Sequence, residues 1–552
     1  MSKSFYYALE LFYQMIIIYL RNKLFKRTAM KEKEKTTFRK IEYHKKESFY
    51  LIVRGLEVGV TAGLISVLYR FLLSFAEDKL HTVLDFVKGN PFRIAAWLVA
   101  LMLIGAVVYF ITRWEPMSAG SGIPQINGEV KGYFSQSWWR VILGKLVGGT
   151  LSVFSGLSLG REGPSVQLGG MAGKGVARLT KADKTTEIRM ISCGAGAGMS
   201  AAFNAPLAGI MFVLEEIHHS FDKSILCMGI VATVTADFTS KLFFGQSTTF
   251  NYDTVVFPLK YYWLLILIGS FLGVSGVLYN IIMVKMQALY RSVKRIPNYI
   301  KLPLVFLVSG VVGLLLPEIL CGGHSMEILL MEEHPSLRAL ILLATAKFLF
   351  GAFCFASGAP GGTLYPLCIL GAYLGAMFGT VSINAFDLSP TLWEEFVVIG
   401  MAGFFSSIVR SPITGIVLVF ELTGNMNNLL PLATVSLISY ATANLIGTSP
   451  FYETLLEGML STSKNAPEFH DTDEKVLKTF VVPVGSSIAK KSISNIDWGK
   501  HCLVVSIERD GVSITPKGDT VIKEGDELVL LVSQRRFSRD NARLEKMINS
   551  SS

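Results

Sequence analysis

Long runs of apolar residues dominate the chain between about residues 49 and 447. A membrane-spanning helix needs about 20 apolar residues, and the clearest runs of this kind are Ile94–Thr112, Tyr262–Val284, Pro303–Leu320, Arg338–Phe355, Phe396–Leu422 and Leu429–Ile446. Three other runs are shortened or interrupted by Gly and Pro, and we expect broken helices at Val166–Ala177, Ala202–Leu214 and Leu367–Val381. Broken helices in a membrane need protein or a polar cavity around their free backbone groups, so they indicate a transport site.

The composition agrees with this pattern. Of the 552 residues, 51% are hydrophobic and only 17% are charged, whereas an ordinary soluble domain carries about 25% charge. These values argue against a secreted disulfide scaffold, a disordered protein and a typical cytosolic enzyme. The sequence therefore predicts an all-α polytopic membrane protein.

The net charge of +10 is concentrated at the N-terminus, where residues 1–48 hold twelve Lys/Arg and five Asp/Glu. A basic arm can bind nucleic acid, but beside a membrane domain the positive-inside bias is the simpler interpretation. We therefore expect a cytoplasmic N-terminus and no nucleic-acid partner. Glu10 and Gln14 interrupt the apolar run Phe5–Leu20, which favours an interfacial helix over a signal peptide.

Residues 463–552 have a different character. Residues 470–552 hold thirteen Lys/Arg and twelve Asp/Glu, and three short β-rich runs with turn signals between them predict strands at Phe480–Val484, Cys502–Ile507 and Glu527–Val532. The sequence predicts a small cytosolic α+β domain here, with a polar and partly helical tail from Arg535. Both termini are then cytoplasmic.

The membrane region, residues 49–462, contains an internal repeat. In each half a proline, Pro206 or Pro412, is followed nine residues later by a glutamate, Glu215 or Glu421. Both pairs are 206 residues apart, and a second block repeats at 202 residues, in which Pro164, Gly169 and Gly173 match Pro366, Gly371 and Gly375. Transporters use such repeats in inverted orientation around a midplane site.

Three glycine-rich blocks precede or open apolar segments: Gly120–Gln125, Gly160–Pro164 and Gly358–Pro366. Each can place free backbone N–H groups at a helix N-terminus, which is an anion site without a full positive charge. A single block could equally be a helix-packing turn. Three blocks in a repeated membrane domain favour anion binding.

These blocks, read as GSGIP, GREGP and GTLYP, resemble the signatures of the CLC family of chloride channels and chloride/proton exchangers. The resemblance covers roughly residues 50–460, and it includes Phe203–Glu216 and Val409–Thr423. It implies the CLC fold, an inverted repeat of broken and tilted helices. One position departs from the family, because Leu364 stands where the family usually has Phe.

The resemblance assigns the anion site residue by residue. Glu162 matches the external gate and proton acceptor, whose carboxylate competes with the anion, although a helix-capping glutamate is the structural alternative. Ser121 and Tyr452 match residues whose hydroxyls contact the ion, and backbone amides near Leu364 and Tyr365 complete the site. The full set of implied chloride-binding residues is Ser121, Gly122, Ile123, Glu162, Gly163, Leu364, Tyr365 and Tyr452.

Two further charged residues match family positions. Glu216 matches the internal proton glutamate of the exchangers, where channels usually have an apolar residue, and the alternative is an ordinary carboxylate at a helix end. Lys145 matches a lysine below the anion path, which could support anions electrostatically or extend its amine to the interface. We expect structural roles for Glu215 and Glu421, and a solvated helix end at His218 and His219.

The C-terminal domain resembles the TrkA-C domain of regulators of potassium conductance between about Lys478 and Ser533. Related domains dimerise, and some bind cyclic di-AMP, although no residue here signals a phosphate site. Eukaryotic CLC proteins carry CBS domains instead, so the resemblance implies a bacterial plasma membrane protein. It also implies a homodimer in membrane lipid, with no cofactor beyond the transported chloride and protons and no metal.

Three functions follow from these residues. The leading one is a chloride/proton antiporter, and the alternatives are a passive chloride channel and, more distantly, a cation uptake protein regulated by the TrkA-C-like domain. A carbonyl-lined TVGYG filter does not occur in the sequence. An enzyme is not expected, since the chain has no phosphate loop, no paired zinc histidines and no G-x-S-x-G nucleophile.

Overall fold

The computed structural model describes residues 35–246, 250, 252, 255–293, 295–425, 428–462, 475–483, 485–499, 502–509, 512–533 and 547, with the backbone alone at residues 35–48, 462, 475–478 and 532–533. The chain divides into two compact units, Met1–Ser461 and Thr462–Ser552. The predicted interfacial helix Phe5–Leu20 lies outside the described residues, as does the tail from Arg535 except for Met547.

Seventeen α-helices account for most of the described chain up to residue 462. They are α1 Lys35–Val87, α2 Pro91–Trp114, α3 Ile123–Val130, α4 Trp138–Phe154, α5 Glu162–Leu179, α6 Lys184–Phe203, α7 Pro206–Phe212, α8 Lys223–Phe244, α9 Tyr262–Ser292, α10 Asn298–Leu315, α11 His324–Glu333, α12 Leu337–Ala356, α13 Leu364–Phe386, α14 Trp393–Val409, α15 Pro412–Thr423, α16 Leu429–Ile446 and α17 Phe451–Thr462.

Nine helical stretches in the described residues are long and apolar enough to cross a membrane. The longest is Phe49–Val87 within α1, with 39 residues, which at 1.5 Å per residue is about 58 Å long. Because the hydrocarbon core is about 30 Å thick, this helix must tilt or extend beyond the core. The all-α membrane architecture predicted from the apolar pattern is confirmed.

Glycines bring the central helices of each half into backbone contact. A methyl group at Gly169 in α5 would lie 2.1 Å from the carbonyl oxygen of Gly194 in α6, and one at Gly198 would lie 2.0 Å from that of Ser165. In the second half, a methyl group at Gly375 in α13 would lie 2.0 Å from the carbonyl oxygen of Phe396 in α14. Small residues allow this close helix packing in membranes.

Two of the three predicted helix breaks are wrong. Val166–Ala177 lies inside the continuous helix α5, and Leu367–Val381 lies inside α13, a continuous helix of 23 residues. Their glycines face neighbouring helices and leave the intrahelical hydrogen bonds in place, so they serve packing. The break within Ala202–Leu214 is confirmed, since α6 ends at Phe203 and α7 starts at Pro206.

The same break recurs in the second half, inside the run Phe396–Leu422, which we had expected to form one apolar segment. Here α14 ends at Val409 and α15 starts at Pro412. In both halves a residue with left-handed backbone separates the two helices, Asn204 at φ 56° and Arg410 at φ 69°. These residues are 206 apart, as the repeat predicts.

The second unit contains a four-stranded antiparallel sheet in the order β1-β4-β2-β3. The strands are β1 Lys475–Val481, β2 Cys502–Arg509, β3 Val512–Ile514 and β4 Glu527–Ser533. The predicted strands Cys502–Ile507 and Glu527–Val532 are confirmed within β2 and β4, whereas Phe480–Val484 overlaps β1 only at Phe480 and Val481; β3 was not predicted. The hydrophobic core of the second unit is formed by Val482, Ile488, Ile496, Val504, Ile507, Ile522, Leu528 and Leu530.

Candidate anion and proton site

The three glycine-rich blocks meet at one place and hydrogen-bond to each other. Gly160 and Gly362 exchange two backbone bonds, with N···O distances of 2.6 and 2.7 Å. The first block joins the third in the same way, because the Gly120 N–H donates to the Gly358 carbonyl at 3.0 Å and the Gly361 N–H donates to the Gly120 carbonyl at 3.1 Å. Segments far apart in sequence thus form a single junction.

Three helices begin at this junction. They are α3 at Ile123, after Gly122 with φ 103°, α5 at Glu162, and α13 at Leu364. Helix N-termini carry unpaired N–H groups and a partial positive charge, which favour an anion. A methyl group at Gly163 would come within 2.6 Å of Ser121 Oγ, so glycine is needed there for the blocks to meet.

Glu162 lies at the centre of the junction and is fully buried. Its Oε2 accepts a hydrogen bond from the backbone N–H of Tyr365 at 3.3 Å, and its Oε1 lies 3.4 Å from Arg161 Nε. The carboxylate therefore binds a backbone amide of the other half of the chain. An anion could take the same amide if the carboxylate left.

Ser121 and Tyr452 are both buried, and neither hydroxyl has a hydrogen-bond partner among the described residues. The hydroxyl of Tyr452 lies near Thr363, which precedes Leu364 in the third block, and near the Glu216 carboxylate. A buried hydroxyl without a partner costs about 1–3 kcal/mol. These two hydroxyls are thus suited to donate to a dehydrated anion.

Glu216 lies in a five-residue π-helical turn, Val213–Ile217, directly after α7. Its side chain is buried, and its Oε2 accepts a hydrogen bond from Ser411 Oγ of the second half at 3.1 Å. Single π-helical turns occur frequently at functional sites. Ser411 is not among the predicted site residues, although it directly precedes Pro412 of the repeated motif.

Lys145 does not extend its amine to the interface. It is fully buried, and its Nζ donates to the carbonyl oxygens of Ser118 at 2.9 Å and Gly120 at 2.7 Å. The lysine therefore holds the loop that carries Ser121. An electrostatic contribution to the anion path stays a prediction.

Lys347, which is 202 residues after Lys145, does the same in the second half. Its buried Nζ donates to the carbonyl oxygens of Ile319, Leu320 and Cys321 at 2.8–3.3 Å. Lys347 is not among the predicted site residues, although the repeat offset of 202 residues relates it to Lys145.

Buried glutamines support the Ser121 loop from the other side. Gln167 Nε2 donates to the Met117 carbonyl at 2.8 Å and to Gln136 Oε1 at 2.7 Å, and Gln125 Nε2 donates to the Ala119 carbonyl at 2.7 Å. Sequence reasoning did not identify Gln136 and Gln167, because nothing local distinguishes them from other polar residues.

The structural roles expected for Glu215 and Glu421 are confirmed. The carboxylate of Glu421 accepts from the backbone N–H groups of Leu207 at 3.0 Å and Ala208 at 2.7 Å, in the first turn of α7. Glu215 accepts from Ile413 at 3.1 Å and Thr414 at 2.7 Å, in the first turn of α15. Each half of the chain therefore caps a helix of the other half.

No group of three or more His, Cys, Asp or Glu among the described residues could hold a metal ion, and no disulfide joins any of the six cysteines, all of which are described. His218 is half-buried with its Nε2 2.7 Å from Ser192 Oγ, whereas His219 is exposed, so the solvated helix end is right only for His219.

The fold and the site together define a polytopic membrane protein built from two repeated halves that meet at buried helix N-termini. The family model described as voltage gated chloride channel matches residues 102–444, and the TrkA-C domain model matches residues 477–539. The chain belongs to the voltage gated chloride channel family, the CLC family of the sequence analysis, and it carries a TrkA-C domain.

Individual relatives agree with this assignment. The H(+)/Cl(-) exchange transporter ClcA of Vibrio campbellii is 34% identical over 431 residues, which are 76% of this chain and 91% of that protein. ClcA of Vibrio vulnificus is 36% identical over 417 residues, covering 74% and 89%. A crystal structure of a slow cyanobacterial Cl−/H+ antiporter matches with a TM-score of 0.71 and 27% identity over 75% of this chain and 98% of that chain.

Proposed function

We propose that this protein is a chloride/proton antiporter of a bacterial plasma membrane, in which Glu162 is the gate and proton acceptor. The observation that carries the proposal is the hydrogen bond between the Glu162 carboxylate and the Tyr365 backbone N–H, at a junction of three helix N-termini. The names of the relatives described above support the exchange of these two ions.

The geometry suggests how one side chain couples the two ions. An ionised Glu162 and a chloride ion compete for the same N–H groups, because both are anions that helix N-termini stabilise. Protonation removes the negative charge of Glu162 and weakens its hold on the Tyr365 amide. The neutral side chain can then leave, and chloride takes its place beside the hydroxyls of Ser121 and Tyr452.

Glu216 favours exchange over a passive channel. It is a second buried carboxylate, and it lies near Tyr452, whose hydroxyl we place beside the chloride ion. A carboxylate inside a membrane domain is costly and is therefore a functional residue by default. We assign Glu216 the role of internal proton donor and acceptor.

The test is proton movement driven by chloride in proteoliposomes. An imposed chloride gradient should drive protons against their own gradient, and Glu162→Gln should keep chloride flux but abolish proton movement. Glu216→Gln should suppress proton movement with chloride flux retained, whereas Glu395→Gln, at a buried carboxylate in α14, should leave coupling intact. Chloride flux without proton movement in the unmodified protein would make the passive channel the correct function.

The same proposal includes assembly and orientation. We propose a homodimer in the lipid bilayer with one ion path in each subunit and both termini in the cytoplasm, on the basis of the basic segment 1–48. Cross-linking in native membranes tests the dimer, and labelling of cysteines introduced near each terminus tests the orientation.

The TrkA-C domain is proposed as a regulatory domain, and cyclic di-AMP is the ligand to test first. Calorimetry with the full chain would measure binding. A ligand that binds without changing chloride flux would exclude regulation by that ligand, and the cation uptake alternative would require potassium flux in the same vesicles.

A further inference from the structure

A cavity of about 560 Å³ leads to Glu162. Tyr365 and residues of α11 form one wall, and α1 forms another. The charged and titratable groups that α1 contributes are Arg70, Glu77, Asp78 and His81. We call this cavity the vestibule.

Three side chains of the vestibule wall form a hydrogen-bonded chain. The phenol of Tyr365 donates to Glu327 Oε2, and His324 Nδ1 lies 3.1 Å from the same oxygen. The side chain of Glu327 is 3% exposed and that of His324 is 63% exposed. This series of hydrogen bonds therefore runs from solvent at His324 to the buried ring of Tyr365.

Tyr365 connects this chain to the gate, because its backbone N–H is the group that binds Glu162 Oε2. Its ring is held on the other faces as well. Phe250 stacks on it with ring centroids 5.9 Å apart and planes 10° apart, and the Arg161 guanidinium lies 6.0 Å from the ring centroid. A change at the phenol can therefore alter the position of the amide in the first turn of α13.

We propose that Glu327 is a positioning residue for the gate: through the Tyr365 phenol it holds the backbone N–H that binds Glu162, and His324 makes this hold respond to pH in the vestibule. The proposal rests on the gate role proposed for Glu162. It concerns the hydrogen bond between the Tyr365 N–H and Glu162, and it assigns no transported proton to His324 or Glu327.

The sign of the pH effect follows from the charges that face Glu327. The hydrogen bond to Glu327 raises the pKa of His324 above its ordinary value. Protonated His324 holds the Glu327 carboxylate that accepts from the phenol, and the positive charges of Arg161 and Arg70 attract the same carboxylate from a greater distance. The negative charges of Glu77 and Asp78 repel the Glu327 carboxylate, and His81 adds a second imidazole to the vestibule. When the pH rises and His324 loses its proton, Glu327 loses this neighbouring cation, its hold on the phenol weakens and Glu162 is released more easily.

The experiment measures chloride flux at several vestibule pH values in proteoliposomes. Tyr365→Phe keeps the ring and the amide but loses the phenol, and we expect a roughly three- to tenfold higher flux at neutral pH, the range for one lost hydrogen bond. Glu327→Gln should have an effect in the same direction. The double variant should match the larger single effect, because both substitutions break the same link.

His324→Gln should flatten the pH profile of chloride flux and keep the flux near the level that the unmodified protein reaches when His324 is neutral, because it removes the imidazole that titrates beside Glu327. Glu77→Gln is the control, because it removes a negative charge from the same cavity without contacting Tyr365 by a hydrogen bond in the described structure. The positioning role would be overturned if Glu77→Gln changed chloride flux as much as Glu327→Gln does. It would also be overturned if the effects of Tyr365→Phe and Glu327→Gln on flux were additive. An unchanged profile in His324→Gln would overturn the pH response.

The same variants in a Glu162→Gln background separate this proposal from the proposed function. If Glu327 acts through the gate, Tyr365→Phe does not raise chloride flux once Glu162 is neutral, although chloride affinity falls because the same N–H binds chloride. A persistent rise in flux there would overturn the proposal even if Glu162→Gln abolishes proton coupling as expected. If Glu162→Gln retains coupling, the proposed function fails, and the additivity of Tyr365→Phe and Glu327→Gln still decides whether the link exists.

Discussion

Glu215 and Glu421 cap helices in opposite halves of the chain, each with two backbone N–H bonds between 2.7 and 3.1 Å long. The two caps are equivalent in the repeat, but the residues after them are not. Glu216 follows the first glutamate, and Leu422 follows the second. The scaffold is thus symmetric where it holds the halves together and asymmetric where we place proton transfer.

This difference gives a prediction with an internal control. Glu215→Gln and Glu421→Gln should each destabilise the protein by about 1 kcal/mol, the usual value of an N-cap, which thermal unfolding in detergent would detect. Proton flux should fall further in Glu215→Gln, because α15 starts next to Ser411, the partner of Glu216. Equal proton flux in the two variants would show that the cap has no influence on Glu216.

The two buried lysines give a second prediction. Lys145→Met and Lys347→Met leave loop carbonyls without their donor, and each unpaired carbonyl costs about 1–3 kcal/mol. Both variants should lose stability. Chloride affinity measured by calorimetry should fall more in Lys145→Met, because only its loop carries Ser121. The reverse order of affinities would show that the Ser121 loop does not depend on Lys145.

A third prediction concerns the contact between Gly163 and Ser121. Gly163→Ala would place a methyl group 2.6 Å from Ser121 Oγ, and such overpacking costs about 1–3 kcal/mol. We expect weaker chloride binding, again measured by calorimetry. Gly458→Ala in α17 is the control, because no atom of the described residues lies within 4 Å of the added methyl group. Unchanged chloride affinity in Gly163→Ala would contradict the place of Ser121 in the site.

The fourth prediction concerns acid stability of the C-terminal unit. Burial raises the pKa of Asp526, but hydrogen bonds from Arg509 at 2.7 and 2.8 Å and from the Lys523 backbone outweigh it, so the pKa lies below its ordinary value. The ionised carboxylate therefore stabilises the folded unit above the ordinary pKa, and this contribution is lost as the pH falls through the lowered value.

Arg509→Met in the full chain should thus weaken protection of β2 and β4 at neutral pH, as measured by hydrogen exchange. The difference from the unmodified protein should shrink in strong acid, where Asp526 is protonated in both. A difference that stays constant down to pH values below the lowered pKa would show that the ion pair is not its cause.

Much of the architecture could be predicted from local pattern. The apolar runs, the repeat offsets and the helix starts at the glycine-rich blocks are all properties of short segments. The helix breaks at Asn204 and Arg410 are marked by the prolines that follow them. The continuous helices α5 and α13 were predicted wrongly, because glycine signals a break locally and close packing only in three dimensions.

The contacts of the site depended on tertiary structure. Nothing in the sequence near Tyr365 indicates that its phenol reaches Glu327. The charge of Lys145 suggests an electrostatic role or an amine at the interface, whereas in the structure its position is fixed by hydrogen bonds to backbone carbonyls. Lys347 and Ser411 lie within repeated segments. Their positions relative to the repeat are therefore the sequence signal that marks them: Lys347 is 202 residues after Lys145, and Ser411 directly precedes Pro412.

The paired glycines Gly160 and Gly362 have one more consequence. Since each supplies a donor and an acceptor to the other, neither half contains a complete junction. A chain cut between Gly245 and Val255 would give two fragments that are each inactive alone, and co-expression in one membrane would be needed to restore ion movement. The two halves of one polypeptide thus depend on each other for a complete junction in the way that the subunits of a heterodimer do.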